Sequence, residues 1–186
     1  MNKACGTWLI ALARKAISEV FAESLHETTV EAGDAECLQQ QGATFVTLTI
    51  EGRLRGCIGS LTARRSLRED VQANAVAAAF HDPRFAPLTS EEWTDTSVEV
   101  SVLGEARAIH GETEEQLRRA LVPFQDGLIL RYKQHQATFL PQVWQQLPQA
   151  ALFLQHLKLK AGLPADFWSE DMQMSVYTVE KFSDHD

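Results

Sequence analysis

A cysteine stands two residues after one arginine, four after another, and between two glycines in the segment 53–61, RLRGCIGSL. Side chains of a strand alternate between faces. A regular strand here puts Arg53, Arg55 and Cys57 on one face, running on to Gly59. Leu54, Gly56, Ile58 and Ser60 take the other. A thiol beside fixed positive charge is favoured as the thiolate, the form that acts as a nucleophile. The same pattern also suits a small buried cysteine in a hairpin, since free cysteine packs as a compact apolar group. Two residues could carry a proton for a reactive Cys57. His81 lies in the charged turn His81-Asp82-Pro83-Arg84-Phe85, and Glu99 is a carboxylate in the middle of an alternating apolar run. Arg55 and Arg53 could hold an anion, and Gly56 and Gly59 leave room for a close backbone approach. Asp82 and Arg84 are spaced to pair, with Phe85 as an anchor, and both are candidates to bind a substrate or partner beside the signature. Asn74 falls on the inner face of a helix and needs a hydrogen-bond partner there, from a loop or from a ligand.

The elements that must position these residues follow from periodicity. Apolar residues at i, i+3, i+4 and i+7 predict a helix over 4–23, its stripe running from Leu9 to Phe21. Residues 24–43 are weakly patterned and read as a loop with a short helical turn near 34–40. The run 44–50 and the signature 53–61 form a hairpin across Glu51-Gly52. Ser66 and Glu69 make a capping box that opens a helix over 66–80, with Leu67, Val71, Asn74, Ala75 and Ala78 inward. Asp82, before a proline, stops it. Thr89 and Glu92 form a second capping box for a short helix. Residues 97–103 alternate as a strand with Val98, Val100 and Val102 on one face, and Glu99 opposite. A helix at 113–122, a hairpin of 128–132 with 136–141, a helical turn at 142–147, a helix at 149–161 ended by Gly162 and Pro164, and a strand at 173–182 complete the chain. The hairpins favour an α+β fold with mainly antiparallel pairing. The 186 residues read as one domain.

Composition limits the function classes. The net charge is −8, which disfavours nucleic acid and anionic membranes as partners. The stretch from Arg53 to Arg68 nevertheless holds five arginines and no acid, a local basic patch suited to a phosphate or carboxylate. The three cysteines, at 5, 37 and 57, have no metal spacing and read as thiols of a reducing compartment. The six histidines are scattered. No metal or cofactor motif is present, and no run of about 18 apolar residues suggests a membrane span. The expected location is cytoplasmic.

Several blocks together carry a resemblance: LRGCIGSL (54–61), NAVAAAFHDPRF (74–85), VEVSVL (98–103), DGLIL (126–130), ATFLPQVW (137–144) and LKLKAGLPADFW (157–168). In this order they resemble the AMMECR domain family, whose prokaryotic members are called AmmeMemoRadiSam system protein A. The resemblance covers about 5–182. It implies an α+β fold with a central, mainly antiparallel sheet flanked by helices, a smaller subdomain packed on it, and a cleft bordered by LRGCIG. It also implies an association with a Memo-like protein and a radical S-adenosylmethionine protein. It assigns no reaction. Two roles follow as expectations: a partner or scaffold in that system, or a Cys57-dependent enzyme acting on a small anionic substrate. One departure stands out. Many relatives carry a Pro-Gly-type turn before DGLIL, where this chain has Pro123-Phe124-Gln125-Asp126.

Overall fold

A computed structural model describes residues 3–21 and 36–184. The end of the first expected helix and most of the loop expected over 24–43 lie outside the described residues. The chain forms two compact units, one of residues 1–103 with 180–186 and one of residues 104–179.

The first unit holds the signature. Helix α1 (Lys3–Phe21) buries Leu9, Leu12, Ala13, Ala16 and Ile17 along its predicted stripe. Val20, expected on that stripe, is exposed at the helix end. A short helix α2 (Glu36–Gln39) leads into strand β1 (Gln41–Ile50), which turns back through Glu51 and Gly52 into β2 (Arg53–Gly59). Both turn residues have positive φ (50° and 74°), as a two-residue hairpin requires. Strand β3 (Arg65–Ser66) makes two pairs with the start of β1. Helix α3 (Leu67–Phe80) follows, opened by the capping box of Ser66 and Glu69. Helix α4 (Ser90–Thr94) is opened by the box of Thr89 and Glu92. Strand β4 (Thr96–Leu103) then pairs with β1 from Ala43 to Ile50. The sheet runs β2-β1-β4-β9, with β3 beside β1 and β9 spanning Val179–Ser183. Val46, Leu48, Val98 and Val100 point from one sheet face into a core with α1 and α3. The alanines of α3 allow close approach, and Ala75 and Ala78 are fully buried.

The second unit has its own antiparallel sheet, ordered β5-β8-β6-β7. It consists of β5 (Arg107–Ile109), β6 (Gly127–Tyr132), β7 (His135–Phe139) and β8 (Gln173–Tyr177), with helices α5 (Glu114–Ala120) and α6 (Ala150–Lys160). A 3-10 turn at Pro141–Gln145 brings Trp144 into the core, stacked on Phe153 with ring centroids 3.8 Å apart.

Three expectations change. The strand expected over 173–182 is two strands, β8 and β9, one in each sheet. The Thr178 carbonyl between them accepts from Gly104 N–H (2.8 Å). Strand β5 was not expected, because three residues show too little alternation to register. The third concerns the cysteines, read as thiols: Cys5 of α1 and Cys37 of α2 form a disulfide across 32 positions, which leaves Cys57 free. Only the packing of α1 near α2 brings these two sulfurs together, so cysteine count and spacing could not reveal the bond.

Candidate functional site

The signature strand is not a regular strand. In the β1–β2 ladder, Thr47 pairs with Cys57 and Leu48 with Gly56, but Thr49 pairs with Leu54, so Arg55 is an extra residue. This is a β-bulge, the irregularity that glycine within a strand often marks. It corrects the expectation that Arg53, Arg55 and Cys57 share one face. Beyond the bulge the alternation inverts. Leu54 comes onto the Cys57 face, and Arg53 goes to the opposite one, exposed beside the turn. Arg55 is freed to reach sideways.

It reaches α4. Arg55 donates from Nε to Glu92 Oε1 and from Nη2 to Glu92 Oε2, both at 2.9 Å. This bidentate match is the strong form of an arginine–carboxylate contact. A further bond goes to the Pro87 carbonyl at 3.4 Å. Glu92 thus has two tasks: it closes the α4 capping box on Thr89 N–H (3.0 Å) and clamps Arg55. The Arg55 bond, more than any other influence, draws the Glu92 carboxyl down to about 2, and the same bond raises Arg55.

A second clasp lies on the outer edge of β2. The Cys57 N–H donates to Asp82 Oδ2 (2.9 Å), and the Cys57 carbonyl accepts from Arg84 Nη2 (3.2 Å). Strand β2 ends the sheet, so these two backbone groups would otherwise form an open edge. Asp82 and Arg84 stand in for a neighbouring strand. They are also bound to each other: Arg84 donates to Asp82 from Nε (2.9 Å) and Nη2 (2.7 Å), and its backbone N–H does so at 3.1 Å. Asp82 is buried with its side chain 2% exposed, and the arginine bond, ahead of all other influences, holds its carboxyl well below the usual range. Both guanidiniums flank the Phe85 ring, with centroid distances of 5.8 Å from Arg55 and 5.5 Å from Arg84.

The glycines have local reasons. A Cβ on Gly56 would stand 2.2 Å from the Ala78 carbonyl oxygen, so the helix backbone lies directly against the strand at this point. A Cβ on Gly59 would meet the Phe45 ring at 2.2 Å. Gly56 therefore lets α3 approach, and Gly59 lets Phe45 lie across the strand.

The expected proton carriers lie apart from the thiol. Glu99 does share the Cys57 face, but Thr47 of β1 stands between them in register. Two strand spacings put their backbones about 10 Å apart. Glu99 is bonded to Lys181 Nζ at 3.1 Å. His81 is exposed and ends α3 through its backbone N–H on Ala77 O; its neighbour Asp82 is the residue that reaches Cys57. The half-buried Cys57 accepts a bond from Thr47 Oγ1 at 3.3 Å. Asn74 faces the other side of the sheet, where it bonds Thr44 O (3.0 Å) and Asp70 Oδ2 (2.9 Å), so it is a brace between α3 and β1. Among the described residues, no three His, Cys, Asp or Glu side chains are grouped to hold a metal ion.

Glu92 and Thr47 are the site residues that sequence reasoning missed. Glu92 showed only as a cap, and Thr47 only as one residue of an alternating strand.

The AMMECR1 family model matches residues 10–182. A protein of Methanosarcina barkeri is 33% identical, with 96% of this chain and 90% of the relative covered. One of Thermococcus onnurineus is 36% identical over the same shares. The crystal structure of the uncharacterized protein PH0010 from Pyrococcus horikoshii has a TM-score of 0.85 at 34% identity, covering 96% of this chain and 90% of the other. The fold, the order of the signature blocks and the length of these matches lead to one statement: the chain belongs to the AMMECR1 family.

Proposed function

We propose that the LRGCIG segment is a pre-assembled recognition surface and that the protein acts as a partner or scaffold for a Memo-like protein and a radical S-adenosylmethionine protein. One observation carries this reading: the charged groups around Cys57 are spent on each other. Arg55 is clamped by Glu92, Arg84 by Asp82, and Glu99 is bonded to Lys181. A catalytic thiol needs a base within hydrogen-bond reach and a charge free to act on substrate. A recognition surface needs rigidity, which two bidentate clasps and a capped edge supply, since groups already ordered lose little freedom on binding. Leu54, 45% exposed beside the bulge, offers an apolar contact on the Cys57 face.

A second reading has its own support. Cys57 is a free thiol with a hydroxyl donor at 3.3 Å, and its carbonyl is bonded to a guanidinium. That setting suits a Cys57-dependent enzyme acting on an anionic small substrate. Capture of the purified Memo-like and radical proteins from the same organism separates the two. Leu54→Glu should lose capture while Cys57→Ser keeps both capture and biological activity. Loss of activity in a folded Cys57→Ser protein that still captures its partners supports the enzyme instead.

A further inference from the structure

The arginine-rich stretch does not end at the signature. Residues Ser60, Leu61, Thr62, Arg64, Arg65 and Asp70 line a hollow of about 470 Å³ in the first unit, where β2 passes into β3 and α3. That volume suits a small organic ligand. The hollow belongs to the helix-facing side of β2, opposite the face that carries Cys57, because Ser60 and Arg65 both bond Asp70 of α3.

Its floor is a saturated carboxylate. Asp70 has its side chain 1% exposed and takes five donors. Oδ2 accepts from Thr44 N–H, Thr44 Oγ1 and Asn74 Nδ2 (2.8, 2.8 and 2.9 Å), and Oδ1 from Ser60 Oγ and Arg65 Nη2 (2.7 and 2.9 Å). Both carboxylate oxygens are thus engaged, and the charge of Asp70 is balanced by that of Arg65, the one charged donor among the five, so Arg64 gives the lining a net positive charge. The Asp70 bond to Arg65 has a second effect. It holds that guanidinium in place with the side chain 43% exposed at the hollow. A guanidinium has five donors, and this contact uses one. Arg64 and Thr62, both exposed, add a second cation and a hydroxyl to the same lining. At the α3 N-terminus the capping box takes the Ser66 and Glu69 N–H groups, and Leu67 N–H donates to the Gln40 carbonyl.

We propose that this hollow is a binding site for a phosphoryl group, either free phosphate or the phosphate of a small monoester, held by Arg64 and by the Asp70-oriented Arg65, with Thr62 as a hydroxyl donor. Two guanidinium forks match the oxygens of such an anion. The remaining volume takes the organic part of a monoester.

The test is a titration of the whole, isotope-labelled protein at constant ionic strength with inorganic phosphate, ribose 5-phosphate and acetate, followed by backbone amide shifts. Saturable shifts over residues 60–66 with phosphate are expected. Tighter binding of ribose 5-phosphate identifies a monoester as the ligand class, and equal binding identifies free phosphate. Arg64→Ala should weaken either about tenfold, the loss of one charge-assisted contact, with an unchanged melting temperature. Arg65→Lys keeps a cation for Asp70 but removes the fork, and should weaken binding as well. Shifts that grow linearly without saturation, an Arg64→Ala protein that responds like the wild type, or acetate binding as well as phosphate would overturn the assignment.

Discussion

Replacing Asp82 by asparagine removes a charge from the edge clasp while nearly preserving shape. In the wild type Asp82 accepts four bonds, three from Arg84 and one from the Cys57 N–H. Asparagine keeps one carbonyl oxygen, turns the other acceptor into a donor, and points it at Arg84 or at the Cys57 amide. Removing one partner of a buried ion pair costs about 3–5 kcal/mol when the remaining charge is left dry. Here the Arg84 side chain is 54% exposed and regains water, so the cost falls to about 2–3 kcal/mol. For a chain of this size that corresponds to a melting temperature lower by about 5–10 °C. The pH dependence gives a second reading of the same contact. The Asp82 carboxyl is depressed in the folded state, so its stabilisation is complete above the unfolded value and is lost as pH falls toward the folded one. Urea unfolding of wild type and variant should therefore differ most at neutral pH, and the gap should narrow below about pH 4. Glu92, depressed to about 2, adds a loss in both proteins over the same acid range, modest because its side chain is 36% exposed, and so it leaves the gap itself unchanged. Equal stabilities at pH 7, or a gap that does not change with pH, would refute the clasp.

Other perturbations probe separate parts of the structure. Gly56→Ala drives a methyl into the Ala78 carbonyl, so denaturation should show a loss of about 3 kcal/mol or more, and a loss below about 1 would mean that α3 can move aside. Phe124 has φ 65° and is 60% exposed, so Phe124→Gly should raise stability by about 0.5–1 kcal/mol, backbone relief exceeding the added chain entropy; a destabilised variant would contradict this. Removing the Cys5–Cys37 bond in a Cys5→Ser, Cys37→Ser protein should cost about 2–4 kcal/mol in chemical unfolding, and a reducing agent should then have no further effect on the variant.

Much of this architecture was legible in local pattern. The periodicity of α1 and α3, the alternation of β4 and the two capping boxes depend on neighbours a few residues apart, and the elements fall within a few residues of the expected bounds. The Asp82–Arg84 pair was legible for the same reason. What stayed hidden depends on distant partners. Arg55 meets Glu92 across 37 positions, and the bulge that directs it exists only as a mismatch between two strands. The run over 173–182 is uniformly strand-like, and nothing in its alternation tells that two sheets divide it. The chemistry read into Cys57 came from assuming strict alternation. The extra residue at Arg55 removes that geometry, and the two glycines serve α3 and Phe45, elements of the protein itself.

The most direct test of the recognition reading is calorimetric titration of the Memo-like protein into wild type and Cys57→Ser, with Leu54→Glu alongside. The account predicts that Cys57→Ser binds with a Kd close to that of the wild type, and that Leu54→Glu weakens binding by about tenfold or more. A folded Cys57→Ser protein that loses binding, or a Leu54→Glu protein that binds like the wild type, would contradict it.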